Sequence, residues 1–149
     1  MTLIDPVRIQ EHLHGHLGWL AAISLVHPAI VLRRVKRRAH LAVGLSVGIV
    51  TLAGGLGAYM YPAYRDRLRQ SMFQHAPAIG YLFERKEHLA FGALLLAWAG
   101  TLAYVAATKV EGGTRDRLRR AAHWSFVVAA AMAVVTAALG TVIAAYKTF

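Results

Sequence analysis

Four long apolar segments dominate this chain and restrict what it can fold into. They cover residues 13–32, 40–61, 88–108 and 121–146, and apolar residues make up 57% of the 149-residue sequence. A helix rises about 1.5 Å per residue, so about 20 apolar residues cross the roughly 30 Å hydrocarbon layer of a bilayer. The sequence therefore predicts an all-α polytopic membrane protein: one domain, residues 1–149, built as a four-transmembrane-helix bundle with an external connector at 62–87.

The positive charges between the segments predict the orientation of the chain. The loops after the first and third segments hold most of the basic residues: Arg33, Arg34, Lys36, Arg37 and Arg38, then Lys109, Arg115, Arg117, Arg119 and Arg120. Basic loops stay in the cytoplasm, so both of these loops are expected there. We interpret the chain as a protein of a bacterial cytoplasmic membrane with both termini on the outer, periplasmic side.

Composition excludes several classes of function. The chain has no cysteine, which excludes disulfides, thiolate metal sites, iron–sulfur clusters and covalently attached haem. Its formal net charge of +10 comes from loops that flank apolar segments, where basic residues set orientation or contact anionic lipid, so nucleic acid is not an expected partner. No catalytic Ser, His and acid set and no HExxH motif is present, which disfavours a hydrolase.

Short matches between the two halves of the chain predict a duplicated helical hairpin. Glu11-His12-Leu13 recurs as Glu87-His88-Leu89, and Arg37-Arg38-Ala39-His40 recurs as Arg119-Arg120-Ala121-Ala122-His123. Both halves would have the same orientation in the membrane, so the axis relating them would run along the membrane normal.

Histidines at the starts of the apolar segments are the candidate functional residues. His16, His40, His88 and His123 each lie where an apolar segment begins. Because the direction of crossing alternates, His16 and His88 are expected near the outer surface, and His40 and His123 near the cytoplasmic surface. In the first segment His12, His16, Ile23, His27 and Ile30 fall within about 40° of one helical face.

Small residues follow the histidines on the same predicted helix faces. In the second segment they are Gly44, Gly48, Thr51, Gly55 and Ala58. Such a face permits either close helix packing or the close approach of a flat macrocycle to the backbone. Arginines next to the inner histidines, and Arg85 and Lys86 next to His88, would suit the propionates of a haem, although the positive-inside rule explains the inner arginines equally well.

Two histidines at each membrane surface give the chain a resemblance to the di-haem b-type membrane cytochromes, in arrangement only and without a shared sequence motif. The resemblance implies two haem b groups, an outer one ligated by His16 and His88 and an inner one ligated by His40 and His123. It also implies electron transfer across the bilayer, or between quinol and a redox partner, as a subunit of a membrane oxidoreductase. The family usually has six helices where this chain has four.

The residues leave several alternatives open. His27, followed by Pro28, could replace an inner ligand, hydrogen-bond a quinone or relay a proton, and His12 or His14 could replace His16. A different class of function is a cofactor-free accessory or anchoring subunit of a larger membrane complex. A proton or metal-ion carrier is a weaker hypothesis, because no Asp or Glu lies within the apolar segments.

Overall fold

A computed structural model describes residues 6–34 and 39–146, without the side chains of residues 6–8 and 67. It consists of five α-helices: α1 (Pro6–Leu32), α2 (His40–Tyr64), α3 (Gln70–His75), α4 (Pro77–Ala107) and α5 (Gly112–Tyr146). Four of them, all but α3, are long and apolar enough to cross a membrane. The predicted all-α four-helix membrane bundle is confirmed, and the chain is an integral membrane protein.

The helices form a ring in which each long helix has two principal neighbours. Helix α1 packs against α2 and α5, and α4 packs against α5 and α2. Helices α1 and α4 therefore lie across the bundle from each other, as do α2 and α5. We call the end with the connections 33–39 and 108–111 the inner end, and the end with residues 65–76 the outer end.

The interior of the bundle is filled mainly by small side chains. Alanines from all four long helices are buried there, and Leu25 and Phe126 are the largest apolar side chains with no exposed surface. Phe126 lies directly against Gly100 of α4, where an added Cβ would stand 3.0 Å from the ring. Small residues permit this close approach of α4 and α5. Membrane helices associate mainly through such close packing, because surrounding lipid is as apolar as the side chains and gives no hydrophobic driving force.

The connector at the outer end is helical. Helix α2 continues through a π-helical turn, Arg65–Arg69, into α3, and only Ala76 interrupts the path before Pro77 starts α4. Tyr64 stacks on Phe83 at 3.7 Å between ring centroids, and Ile143 completes this apolar cluster. An ion pair of 3.0 Å joins Arg69 to Glu84 and raises the pKa of Arg69. The sequence of residues 64–73 is compatible with a short amphipathic surface helix, and in the structure this stretch continues α2.

Two tryptophans bond between helices of different hairpins. Trp19 of α1 donates from Nε1 to Thr141 of α5 at 3.2 Å, and Trp98 of α4 donates to Thr51 of α2 at 3.1 Å. In each case the first helix of one hairpin bonds to the second helix of the other. This is the relation that a duplicated hairpin would produce, and the duplication itself stays a prediction.

Pro28 leaves a carbonyl group of α1 without its usual helical donor, and α2 supplies another. A proline has no N–H, so the carbonyl oxygen of Ser24, four residues earlier, cannot be bonded by residue 28. Ser46 of α2, itself buried, donates from Oγ to that oxygen at 2.6 Å. The break in the ladder of α1 is therefore also an α1–α2 contact.

Removing the Ser46 hydroxyl should show how much the Ser46–Ser24 hydrogen bond stabilises the fold. We expect Ser46→Ala to lower the free energy of unfolding by about 1 kcal/mol, the scale of a hydrogen bond between membrane helices. In the background of Pro28→Ala, whose restored N–H can bond Ser24, the same substitution should cost less. Reversible unfolding in mixed micelles, followed by circular dichroism, measures both. Equal costs in the two backgrounds would show that Ser46 does not compensate for Pro28.

Candidate functional site

Side chains of α5 cap the end of α1 at the inner end of the bundle. His123 donates from Nδ1 to the carbonyl oxygen of Ala29 at 2.8 Å, since a carbonyl can only accept. The amide of Arg33, which would continue the helical ladder to Ala29, bonds to Ile30 at 3.3 Å instead. One helical turn before His123, Arg119 donates from a guanidinium nitrogen to the carbonyl oxygen of Arg34 at 3.1 Å. These bonds satisfy carbonyls that a helix terminus leaves open, and a cation there is favoured by the helix dipole.

Tyr104 of α4 joins the same inner-end cluster. Its side chain is buried, and its hydroxyl oxygen accepts a hydrogen bond of 2.9 Å from the backbone N–H of Ala39, just before α2. The ring of His40 meets the Tyr104 ring edge-on at 5.3 Å, and the guanidinium of Arg119 lies 5.8 Å from the ring centroid. Tyr104 and Arg119 thus connect the inner ends of all four long helices. We call Tyr104, Arg119, His40 and His123 the inner cluster.

The predicted inner histidines both belong to this cluster but differ in exposure. His123 is half-buried, whereas His40, the first residue of α2, is exposed. They lie on helices across the bundle from each other and contact different groups. His123 contacts the Ala29 carbonyl and the Trp124 ring, and His40 contacts the Tyr104 ring. With Nδ1 protonated and bonded, the lone pair of His123 is on Nε2, the arrangement that histidine ligands of metals generally have.

At the outer end, the predicted pair His16 and His88 is exposed. His88 donates from Nδ1 to the Glu84 carbonyl oxygen one turn earlier at 2.7 Å, which again leaves its lone pair on Nε2. His14 takes a different position, because its ring lies against Gly57 of α2, where an added Cβ would stand 2.9 Å away. The space beside Gly57, near the outer end of α2, is therefore occupied by an imidazole.

The histidine face of α1 points away from the other helices. His12, His16, Ile23, His27 and Ile30, which the sequence places on one face, are all exposed. The opposite face supplies the core with Ala22, Leu25 and Ala29. The small-residue face of α2 behaves in the same way, since Gly44, Gly48, Thr51, Gly55 and Ala58 are also exposed.

The cations expected near the histidines are distributed unevenly. Arg37 and Arg38 lie outside the described residues. The Arg119 guanidinium is engaged with the Arg34 carbonyl group, while Arg120 is exposed. At the outer end Arg85 is exposed, and the Lys86 ammonium stands 4.5 Å from the Phe83 ring centroid.

Two contacts were not predicted from the sequence. A tyrosine within an apolar segment, such as Tyr104, suggests that its hydroxyl group has a hydrogen-bond partner. That this partner is the N–H of Ala39 follows only from the fold. Ser46 likewise gives no sign of its partner, although Pro28 does identify the carbonyl oxygen of Ser24 as the atom in need of a donor.

Imidazole nitrogens are the candidate metal ligands at both ends of the bundle. Within residues 6–34 and 39–146, no cluster of three or more His, Cys, Asp or Glu side chains is placed to hold a metal ion. A metal bound by side chains alone would thus need ligands from elsewhere, whereas a haem supplies four nitrogens itself and asks the protein only for axial ligands.

Comparison with known protein families, curated proteins and solved structures found no match to this chain. The functional argument therefore rests on the residues and their geometry.

Proposed function

We propose that the chain is a b-type haem-binding membrane protein that transfers electrons across the bilayer, or between quinol and a redox partner. The observation that carries the proposal is the hydrogen bonding of two imidazoles, His88 toward the outer end of the bundle and His123 toward the inner end. Each donates its Nδ1 proton to a backbone carbonyl and keeps the Nε2 lone pair for a ligand. The same second bond orients axial and other metal-bound histidines in proteins and raises their basicity.

The residues present fit haem as ligands, and their position indicates where it would be held. Leu25, Phe126 and the buried alanines fill the space between the helices, while His16, His40 and His88 are exposed. The ligands would accordingly hold haem at the outward surface of the bundle and near its two ends. The sequence pairs His16 with His88 and His40 with His123, and it offers His27 in place of an inner ligand. Since each pair comes from helices that lie across the bundle from each other, one chain would supply an outward-held haem with one axial histidine, His88 or His123.

Bound haem would supply one-electron chemistry, and the protein residues would set its conditions. The carbonyl groups of Glu84 and Ala29 fix the tautomer and orientation of the two imidazoles. The exposed Arg120 and Arg85 are the cations available to propionates, because Arg119 is already bonded within the bundle. On this proposal the loops 33–39 and 108–111 face the cytoplasm of a bacterial cell, and the termini face the periplasm.

The closely packed interior also supports a second candidate, a cofactor-free accessory or anchoring subunit of a larger membrane complex. A bundle whose interior is filled by its own side chains has its exposed faces left for partners. The histidines would then serve as structural groups, as His123 does where it caps α1. The two candidates differ in a single measurable property, the binding of haem.

The deciding measurement is the dithionite-reduced minus air-oxidised visible spectrum of protein purified from haem-replete cells, with haem quantified as the pyridine haemochrome. We expect a b-type spectrum, and we expect His88→Gln and His123→Gln each to remove about half of the haem or more, since loss of an axial ligand removes the bond that holds a non-covalent haem.

His75 is the matched control for this measurement. It is exposed and makes the same bond, from Nδ1 to the Ser71 carbonyl oxygen at 3.0 Å, but it belongs to α3, outside the four apolar helices. His75→Gln should retain all of the haem. Absence of haem from the unsubstituted protein would exclude electron transfer by haem and leave the accessory subunit as the function.

A further inference from the structure

The outward face of α1 carries polar groups at a depth where a lipid-facing helix normally has none. Along this face Leu13, His16, Leu20, Ile23, His27 and Ile30 follow one another at alternating spacings of three and four residues, and all are exposed. Each of the four long helices has such an outward stripe, because each has neighbours on one side only. Only the stripe of α1 includes imidazoles well inside the apolar segment.

The depth of these imidazoles follows from the apolar segment within α1, residues 13–32. At about 1.5 Å per residue, His16 lies about 10 Å and His27 about 7 Å from the midpoint of that segment, on opposite sides of it. The hydrocarbon layer extends about 15 Å to each side of its centre, so both rings lie within it.

Exposure of these rings to lipid would leave their polar nitrogens without partners. Polar side chains inside membranes generally face other protein or water-filled cavities, because an unpaired polar group in hydrocarbon is costly. By contrast, His40 is the first residue of α2, and the outward stripe of α4 beyond His88 is apolar, with Phe91, Leu95 and Leu102. The face of α1 is therefore the one that requires a protein partner.

We propose that this face of α1 is covered by the same face of a second copy of the chain, in a parallel dimer with a twofold axis along the membrane normal. Two copies inserted with the same orientation bring His16 to His16 of the partner subunit, and His27 to His27 of the partner subunit, at equal depths. A neutral imidazole has one donor and one acceptor, so it is complementary to its own copy. A twofold interface is the geometry that pairs a residue on the axis with itself.

The proposal gives His16 and His27 a structural role in place of the ligand roles that the sequence offers them. Within one chain these two rings point away from the bundle and toward the place where the second copy would lie. Ile23, between them, would then pack against its own copy near the middle of the membrane. The dimer and the haem-binding function can be tested separately, because the interface involves neither His88 nor His123.

Absence of cysteine from the chain makes a disulfide test direct. We expect full-length Ile23→Cys, oxidised in native membranes, to form a disulfide-linked dimer in at least half of the molecules, because residues at a close twofold axis reach the Cα separations of about 4.4 to 6.8 Å that disulfides need. Leu52→Cys on α2 is the matched control, since both side chains are 66% exposed and lie in the middle part of their helices. It should form less than one-tenth as much.

A second pair of variants tests the pairing of the histidines. His27→Cys should form the dimer readily, and Val26→Cys, the exposed neighbour that lies off the axis, should do so at least fivefold less. Cross-linking through Leu52 instead of Ile23, equal cross-linking of residues 26 and 27, or a monomer in every variant would overturn the proposal. Haem content of the Ile23→Cys dimer is read separately, so a dimer without haem refutes only the proposed function, and a haem-containing monomer refutes only the dimer.

Discussion

Replacing Gly100 by leucine is expected to lower the free energy of unfolding by about 3 kcal/mol, at the upper end of the cost of overpacking a close contact. Gly100 of α4 lies in close contact with Phe126 of α5. A Cβ at position 100 would stand 3.0 Å from the ring of Phe126 and 3.1 Å from Cβ of Ser125. Phe126 has no exposed surface and cannot move aside without disturbing the buried alanines around it.

The control and the rescue for this prediction come from the same chain. Gly55→Leu introduces the same side chain at an exposed position of α2 with nothing within 4 Å of an added Cβ, and it should be neutral or stabilising. Phe126→Leu, combined with Gly100→Leu, should restore part of the loss because it shortens the opposing side chain. Unfolding of all variants in mixed micelles gives the comparison. A loss at Gly55 equal to that at Gly100 would mean that the side chain itself, and not the contact, is destabilising.

Replacing Arg119 by glutamine is expected to cost about 2 to 3 kcal/mol of unfolding free energy, the scale of a hydrogen bond that involves a charged group together with a cation–π contact. Arg119 is 5% exposed, donates to the Arg34 carbonyl oxygen and lies over the ring of Tyr104. Its loss disconnects α5 from the loop after α1. We also expect faster proteolysis next to Arg34, since its carbonyl oxygen loses this hydrogen bond.

Arg120→Gln is the matched control, because it removes the same charge from the next residue, which is exposed. Both variants remove one basic residue from the same end of α5, so they change the charge that influences membrane orientation equally. A difference between them in stability or in proteolysis must therefore come from the contacts of Arg119. Equal behaviour of the two variants would show that the inner cluster does not stabilise the bundle.

The position of the histidines changes what a haem site in this chain would look like. The sequence predicts pairs that meet inside the bundle, whereas the structure has His16, His40 and His88 exposed and the interior filled by alanine, leucine and phenylalanine. On the proposed function, haem held by these ligands would be close to lipid or to a partner protein. A quinol from the lipid phase, or a docked redox protein, would then reach it without entering the bundle.

The sequence by itself determined the class of the protein and the number of its membrane-spanning helices. Crossing about 30 Å of hydrocarbon requires a long apolar segment and forces its backbone to bond internally, so segments such as 40–61 identify helices by length and composition alone. The position of Pro28 also implies an open carbonyl four residues earlier, at Ser24, because that consequence of proline is local, whereas its donor Ser46 follows only from the fold. From the sequence, residues 64–73 suit either a short surface helix or a solvated connector, because polar residues outside the membrane are compatible with both. That this stretch continues α2 follows only from the fold.

Only the tertiary structure decided which faces of the helices point inward. In a soluble protein, polar residues identify the outward face, but a membrane helix is surrounded by apolar material on every side, so the histidine stripe of α1 and the glycine face of α2 are compatible with either direction. The direction depends on which surfaces pack most closely, as Gly100 does against Phe126. The bonds of Tyr104 to Ala39, and of Arg119 and His123 to the end of α1, join residues 65 or more positions apart. Such contacts exist only once the four helices have assembled, because no local pattern brings those groups together.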